Sequence, residues 1–124
     1  MKITEIAFSC YPVTDIARAR AFYEGVLGLK VTMDHEIPGG AHWIEYDIGT
    51  GTLGLGRAEG WKPGSDGCTV GLEVEDFDSA IAALKSTGTP FGMEPFETPV
   101  CHMAMVKDPD GNTLISHKRK PGHH

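Results

Sequence analysis

Val13-Thr14-Asp15 followed by Ile16, Ala19, Phe22, Tyr23, Val26 and Leu27, with a stop at Gly28, is the stretch that decides the fold. Asp15 is placed to accept hydrogen bonds from the free amides of a first helical turn. The apolar residues behind it recur at i, i+3 and i+4, a stripe that needs burial on one face. Gly28 supplies a left-handed stop. The same device returns 61 residues later: Val74-Glu75-Asp76 leads a helix carrying Phe77, Ala80, Ile81 and Leu84, which ends near Gly88. Thr52-Leu53 falls on Thr113-Leu114 at that same offset of 61. The shared letters are few, but the structural signals repeat with them.

Working outward, each helix is preceded by a short apolar strand, Ile6 to Cys10 and Val70 to Val74. Three strand-like runs follow it. They are Leu29 to Met33, Ala41 to Ile48 and Thr52 to Gly56 in the first half, and Phe91 to Pro95, Val100 to Lys107 and Thr113 to Lys118 in the second. Gly49-Thr50-Gly51 and Asp108-Pro109-Asp110-Gly111-Asn112 carry hairpin-turn chemistry. Each half is therefore β-α-β-β-β, an α+β class. Module one spans about 1–59, a Gly/Pro-rich linker about 60–67, module two about 68–118 and a solvated basic tail 119–124. A helix covers only one face of each sheet, so the other face must meet a partner or a ligand.

The bulk numbers narrow the function classes. A hydrophobic content of 40% against 23% charged residues excludes disorder as the default. A net charge of −6 excludes a nucleic-acid groove or an anionic membrane surface as the main partner, since both need a basic face. Cys10, Cys68 and Cys101 are odd in number and scattered, which reads as reduced thiols of a cytoplasmic protein. Met1-Lys2-Ile3-Thr4-Glu5 lacks the long apolar stretch expected of a signal peptide, and no run of 18 apolar residues occurs in this sequence. His123 and His124 close the chain and carry no weight in the reading.

The run Val13-Thr14-Asp15, Ala19, Ala21-Phe22-Tyr23 and Val26-Leu27-Gly28-Leu29, with Val106-Lys107-Asp108-Pro109-Asp110-Gly111-Asn112 near the end, resembles the glyoxalase/bleomycin-resistance/dioxygenase superfamily, the vicinal oxygen chelate fold. The resemblance covers nearly the whole chain. It implies paired βαβββ modules forming a half-barrel around a small-molecule cleft, commonly in a homodimer. The superfamily holds lyases, epimerases, ring-cleaving dioxygenases and drug-sequestering binders, so the fold alone does not choose the chemistry. Its metal-using members place ligands on the first and last strand of each module. Here those slots fall on Thr69 and Ile115 in module two and on Phe8 and Gly54 in module one. A bulge at Tyr11-Pro12 would instead bring Glu5 or Ala7 to the Phe8 slot. Gly and Ile carry no donor, so the expectation is no metal and no cofactor.

Strand alternation proposes what lines the cleft. With Ile44, Tyr46 and Ile48 toward the helix, Trp43 and Glu45 face inward; with Val70, Leu72 and Val74 toward the helix, Thr69, Gly71 and Glu73 do. Around Leu114 the inward set is Thr113, Ile115 and His117. Giving Met103 and Met105 to the helix leaves His102 and Ala104 inward. The ligand-binding set is then Phe8, Trp43, Glu45, Thr69, Glu73, His102, Ile115 and His117, a mostly apolar lining with a few polar groups. Two functions follow. One is a metal-independent binder of a small molecule. The other is an enzyme of the same superfamily, using His102 or His117 with Glu45 or Glu73 as acid and base, or relocated metal ligands. Each of these polar residues also has an ordinary explanation as a solvated strand-end group.

Overall fold

A computed structural model describes residues 1–122; His123 and His124 lie outside the described residues. Two four-stranded sheets are built, each with one helix, and the chain divides into compact units at Pro63 and Gly64.

In the first unit β1 (Ser9–Pro12) leads to α1 (Ile16–Arg20), which continues as a π-helical stretch over Ala21–Val26, and then to β2 (Val31–Ile37), β3 (Ala41–Ile48) and β4 (Gly51–Arg57). The sheet order is β1-β4-β3-β2, with β1 parallel to β4 and the other pairs antiparallel. The second unit repeats this with β5 (Val70–Glu73), α2 (Phe77–Ser86), β6 (Phe91–Glu97), β7 (Cys101–Lys107) and β8 (Thr113–Arg119), ordered β5-β8-β7-β6. Both are mixed βαβββ sheets.

The caps do what their chemistry dictates. Asp15 Oδ1 accepts from the Arg18 amide at 3.0 Å and Asp76 Oδ1 from the Ser79 amide at 2.9 Å. Gly28 and Gly88 then turn the chain at φ of 74° and 73°, where a side chain would be strained. The π-helical stretch departs from the plain α-helix that the stripe predicts. Its wider turn rotates successive residues by a smaller angle, so adjacent Phe22 and Tyr23 both bury, edge to face at 5.2 Å. The first core packs these rings with Val13, Ile44, Tyr46 and Leu55; the second packs Leu84 with Ala104, Val106 and Leu114.

Three expectations are corrected. The first strand is Ser9–Pro12, not Ile6 to Cys10, because Tyr11 and Val13 are the residues that bury; Ile6 is left exposed. The strand expected over Leu29 to Met33 instead runs Val31–Ile37, which leaves only a turn at 38–40 before β3. The basic run at 118–120 is not a loose tail. β8 continues through Arg119, and the Lys120 amide donates to the Val100 carbonyl at 2.9 Å while its ammonium meets Glu97 at 2.6 Å. No helix among the described residues is long and apolar enough to cross a membrane.

Candidate functional site

Residues directly opposite each other on neighbouring strands share a face. In the first sheet Ile44, Tyr46, Leu53 and Leu55 are buried, so their alternates point away from the helix. Register places Trp43 opposite Gly56 and Glu45 opposite Gly54, with Cys10 and Pro12 beside these glycines from β1. The two glycines make a floor. A Cβ at Gly54 would lie 2.6 Å from Trp43 Cζ2, and one at Gly56 would lie 2.2 Å from Trp61 Cζ3. No other residue lets both indoles settle there. The Trp43 and Trp61 rings run nearly parallel, 11° apart with centroids at 6.4 Å, and Phe8 meets Trp43 edge-on at 5.5 Å. Trp43 Nε1 donates to Glu45 Oε2 at 2.6 Å, which fixes the ring's orientation. Trp61 is 38% exposed and Phe8 50%, so the aromatic surface is open to a ligand. Trp61 also walls a depression of about 360 Å³ with Val13, Thr14 and Arg57. Partial burial pushes the Cys10 thiol up, which keeps it a neutral neighbour of the rings.

The second sheet presents a different open face. Glu73 stands opposite His117, and His117 opposite Met103; one row along, Gly71 stands opposite Ile115 and Ile115 opposite Met105. His117 Nδ1 lies 2.5 Å from Glu73 Oε1. This is the one carboxylate–imidazole pair that the structure brings together from the expected set. Partial burial works against its charge, but the Arg119 amide and His117 together hold the Glu73 carboxyl below its ordinary range. Thr69 is exposed, one residue before β5.

His102 is corrected. It pairs with Lys118 in the row next to the buried Ala104–Ser116 pair, and its ring lies 5.5 Å from Phe77, the first residue of α2. It therefore occupies the helix side, as does Ala104, while Met103 and Met105 face away. Ala104 and Val106 are buried on that side, and the longer methionines stay half-buried on the other face. His102 and His117 stand on opposite sides of one sheet, and neither glutamate of the expected set reaches His102; its nearest carboxylate is Glu97 at 4.0 Å.

The superfamily's metal slots do not fit a metal here. The parallel ladders put Gly54 beside Cys10 and Ile115 beside Gly71, the same offset in both sheets, so no bulge shifts the first-strand register. Phe8 and Thr69 precede the two strands equivalently. Gly54 and Ile115 offer no donor atom, and the space over Gly54 is filled by the Trp43 ring. No group of three or more His, Cys, Asp or Glu that could hold an ion occurs among the described residues.

Two features escaped the sequence reading. The linker reading over about 60–67 leaves Trp61 out of the site, although a second tryptophan just beyond a Gly-Leu-Gly strand is an available signal. On the helix side of the first sheet, Arg20 donates to Glu24 at 2.6 Å and to Asp34 at 3.1 Å, the Tyr46 hydroxyl donates to Glu24 at 2.9 Å, and His42 Nε2 meets Asp34 at 2.6 Å. The Arg20 guanidinium holds the Glu24 carboxyl below its ordinary range, while burial and Glu24 together push Tyr46 up. This cluster straps β2 and β3 to the helix.

The family model for the Glyoxalase/Bleomycin resistance protein/Dioxygenase superfamily matches residues 2–115. Among solved structures, TnmS3, an antibiotic binding protein from Streptomyces sp. CB03234, is 26% identical with a TM-score of 0.78, covering 97% of this chain and 99% of its own. A glyoxylase/bleomycin resistance protein/dioxygenase domain from Frankia sp. EAN1pec reaches a TM-score of 0.80 at 17% identity, covering 99% of this chain and 97% of that one. A superfamily member from Sphaerobacter thermophilus DSM 20745 has a TM-score of 0.76 at 22% identity, over 94% and 98%. No curated protein matches the sequence.

Proposed function

This chain belongs to the glyoxalase/bleomycin resistance protein/dioxygenase superfamily, and on that premise we propose that it is a metal-independent small-molecule binder that holds a planar aromatic ligand against the Trp43–Trp61 pair. The observation that carries the reading is the Gly54–Gly56 floor, which clears two side-chain positions so that both indoles lie over the sheet. Stacking on such a surface contributes about 0.5–1.5 kcal/mol per ring pair beyond the area buried. Glu45 holds Trp43 in place and adds an acceptor at the rim. The likeness to an antibiotic binding protein supports a small-molecule ligand. The donor-free slots at Gly54 and Ile115 support a mode without a metal.

The chain's two tryptophans are both in this pair, so their fluorescence reads the site directly. Titration with acridine, a planar tricyclic probe, is expected to quench it along a saturable, one-to-one curve that a chelator leaves unchanged. Quenching that never saturates, or that requires an added divalent ion, overturns the reading. A homodimer in a reducing, cytoplasmic setting belongs to the same proposal. Apolar side chains exposed on β2 and β6 (Met33, Ile37, Met93, Phe96) and three free cysteines support it. Sedimentation equilibrium tests the dimer.

A further inference from the structure

The second sheet carries a row that the aromatic site does not use. Across it run Glu73, His117, Met103 and Phe96, each opposite the next. An ionised carboxylate only accepts hydrogen bonds, so the 2.5 Å contact selects the Nδ1–H tautomer of the neutral ring, in which Nε2 carries the lone pair. Nε2 has no partner among the described residues. Glu73 cannot turn away, because its Oε2 accepts from the Arg119 amide at 2.8 Å. A base oriented by a fixed carboxylate is the arrangement that takes a proton from a bound group. Beside it lie Ile115, Met103 and Met105, an adaptable apolar shelf.

The charged groups around His117 are few. On its own face stand Glu73, Arg119, whose guanidinium is 3.6 Å from Glu73, and at the far end of β7 Lys107, which donates to Thr113. From β7 and β6, His102 and Glu97 lie with Lys118 on the helix side, and Glu97 is met by Lys120.

We propose that this row is a second, proton-accepting binding site for an acidic hydroxyl carried on an apolar body, a phenol being the simplest case. On binding, the O–H bond breaks, the proton moves to His117 Nε2, and the phenolate pairs with an imidazolium whose Nδ1–H remains on Glu73. No other bond changes and no co-reactant is needed. The methionine shelf takes the ring.

The probe is 4-nitrophenol, whose phenolate absorbs visible light, held at the pH where it is half ionised in solution. The wild-type protein is expected to raise the phenolate-to-phenol ratio of bound dye at least tenfold. His117→Gln removes that rise, and Glu73→Gln cuts it several-fold by leaving the imidazolium without its carboxylate. Both variants keep the acridine quenching of the tryptophan pair, which separates failure here from failure of the aromatic site and shows that they fold. In the unmodified chain, the ¹⁵N resonance of His117 Nε2 moves from its bare to its protonated position as dye is added. An unchanged ratio with wild type, a full rise with His117→Gln, or an immobile ¹⁵N resonance overturns the proposal.

Discussion

The two sheets share one backbone plan and present two unlike open faces. Ser9 pairs with Leu53 as Val70 pairs with Leu114, Cys10 with Gly54 as Gly71 with Ile115, and Pro12 with Gly56 as Glu73 with His117. The helix-facing positions of each ladder must alternate apolar to bury, so register is held there. The opposite positions answer only to what covers them. One sheet has emptied two of these positions to glycine and laid tryptophans over the gap; the other has kept Ile115 and His117 and gained a carboxylate beside the imidazole. Duplicated architecture therefore says where a site can form, and the uncovered residues say what it takes.

The most disruptive test carries one face into the other. Gly54→Ile installs the residue found at the equivalent second-sheet position, and its Cβ would sit 2.6 Å from Trp43 Cζ2. Overpacking of this kind costs about 1–3 kcal/mol. Urea unfolding followed by circular dichroism is expected to show that loss, with acridine quenching abolished. Unchanged stability would mean that Trp43 leaves the floor freely and that the glycines are not what seats it.

Next in size is Trp61→Ala. The ring lies on a loop and is partly exposed, so the fold should hold while one stacking partner is lost. Acridine affinity is expected to fall roughly tenfold, about 1.4 kcal/mol, with the nitrophenol response unaltered. Equal loss of both signals would merge the two sites into one.

Much of this plan was legible in the sequence, and the failures have physical causes. Asp15, Asp76, Gly28 and Gly88 announce helix ends by local chemistry, and β3 by eight residues of alternation; all need no distant partner to be read. β1 does need one. Ile3, Ile6 and Phe8 look strand-like, yet pairing with β4 begins only at Ser9. In β7 both alternating sets are largely apolar, so polarity does not tell the faces apart, and bulk alone points the methionines to the helix. Space decided it the other way. The hairpin held a usable signal, since counting outward from Lys107 and Thr113 pairs Met105 with Ile115, already assigned to the open face. The Arg20–Glu24–Tyr46 cluster depends on residues 22 positions apart and has no local mark.

That cluster separates the helix sides of the two units and sets a pH effect. Because Arg20 and Tyr46 hold the Glu24 carboxyl below its ordinary value of 4.5, the folded state favours the charged form. The stability it contributes is present above about that pH and is lost as the pH falls through the folded value. Tyr46→Phe removes one of the bonds and leaves the Arg20 pair, an expected loss of about 1 kcal/mol at neutral pH. The difference from wild type should shrink in acid, as the pH falls through the lowered folded value of Glu24. A difference that stays constant across that range would separate Tyr46 from the Glu24 charge.

The smallest effect tests the face assignment in β7. The His102 side chain is 41% exposed, rests against Phe77 and meets Glu97 only at 4.0 Å. Its removal should therefore act as an ordinary surface substitution. His102→Ala is expected to change unfolding free energy by no more than about 0.5 kcal/mol, and to leave both acridine quenching and nitrophenol ionisation as they are. The contrast with His117→Gln is the informative part. The two histidines lie on adjacent strands of one sheet, yet only His117 stands on the open face beside a fixed carboxylate. Loss of nitrophenol ionisation in His102→Ala would place its ring on the open face and reverse the β7 assignment.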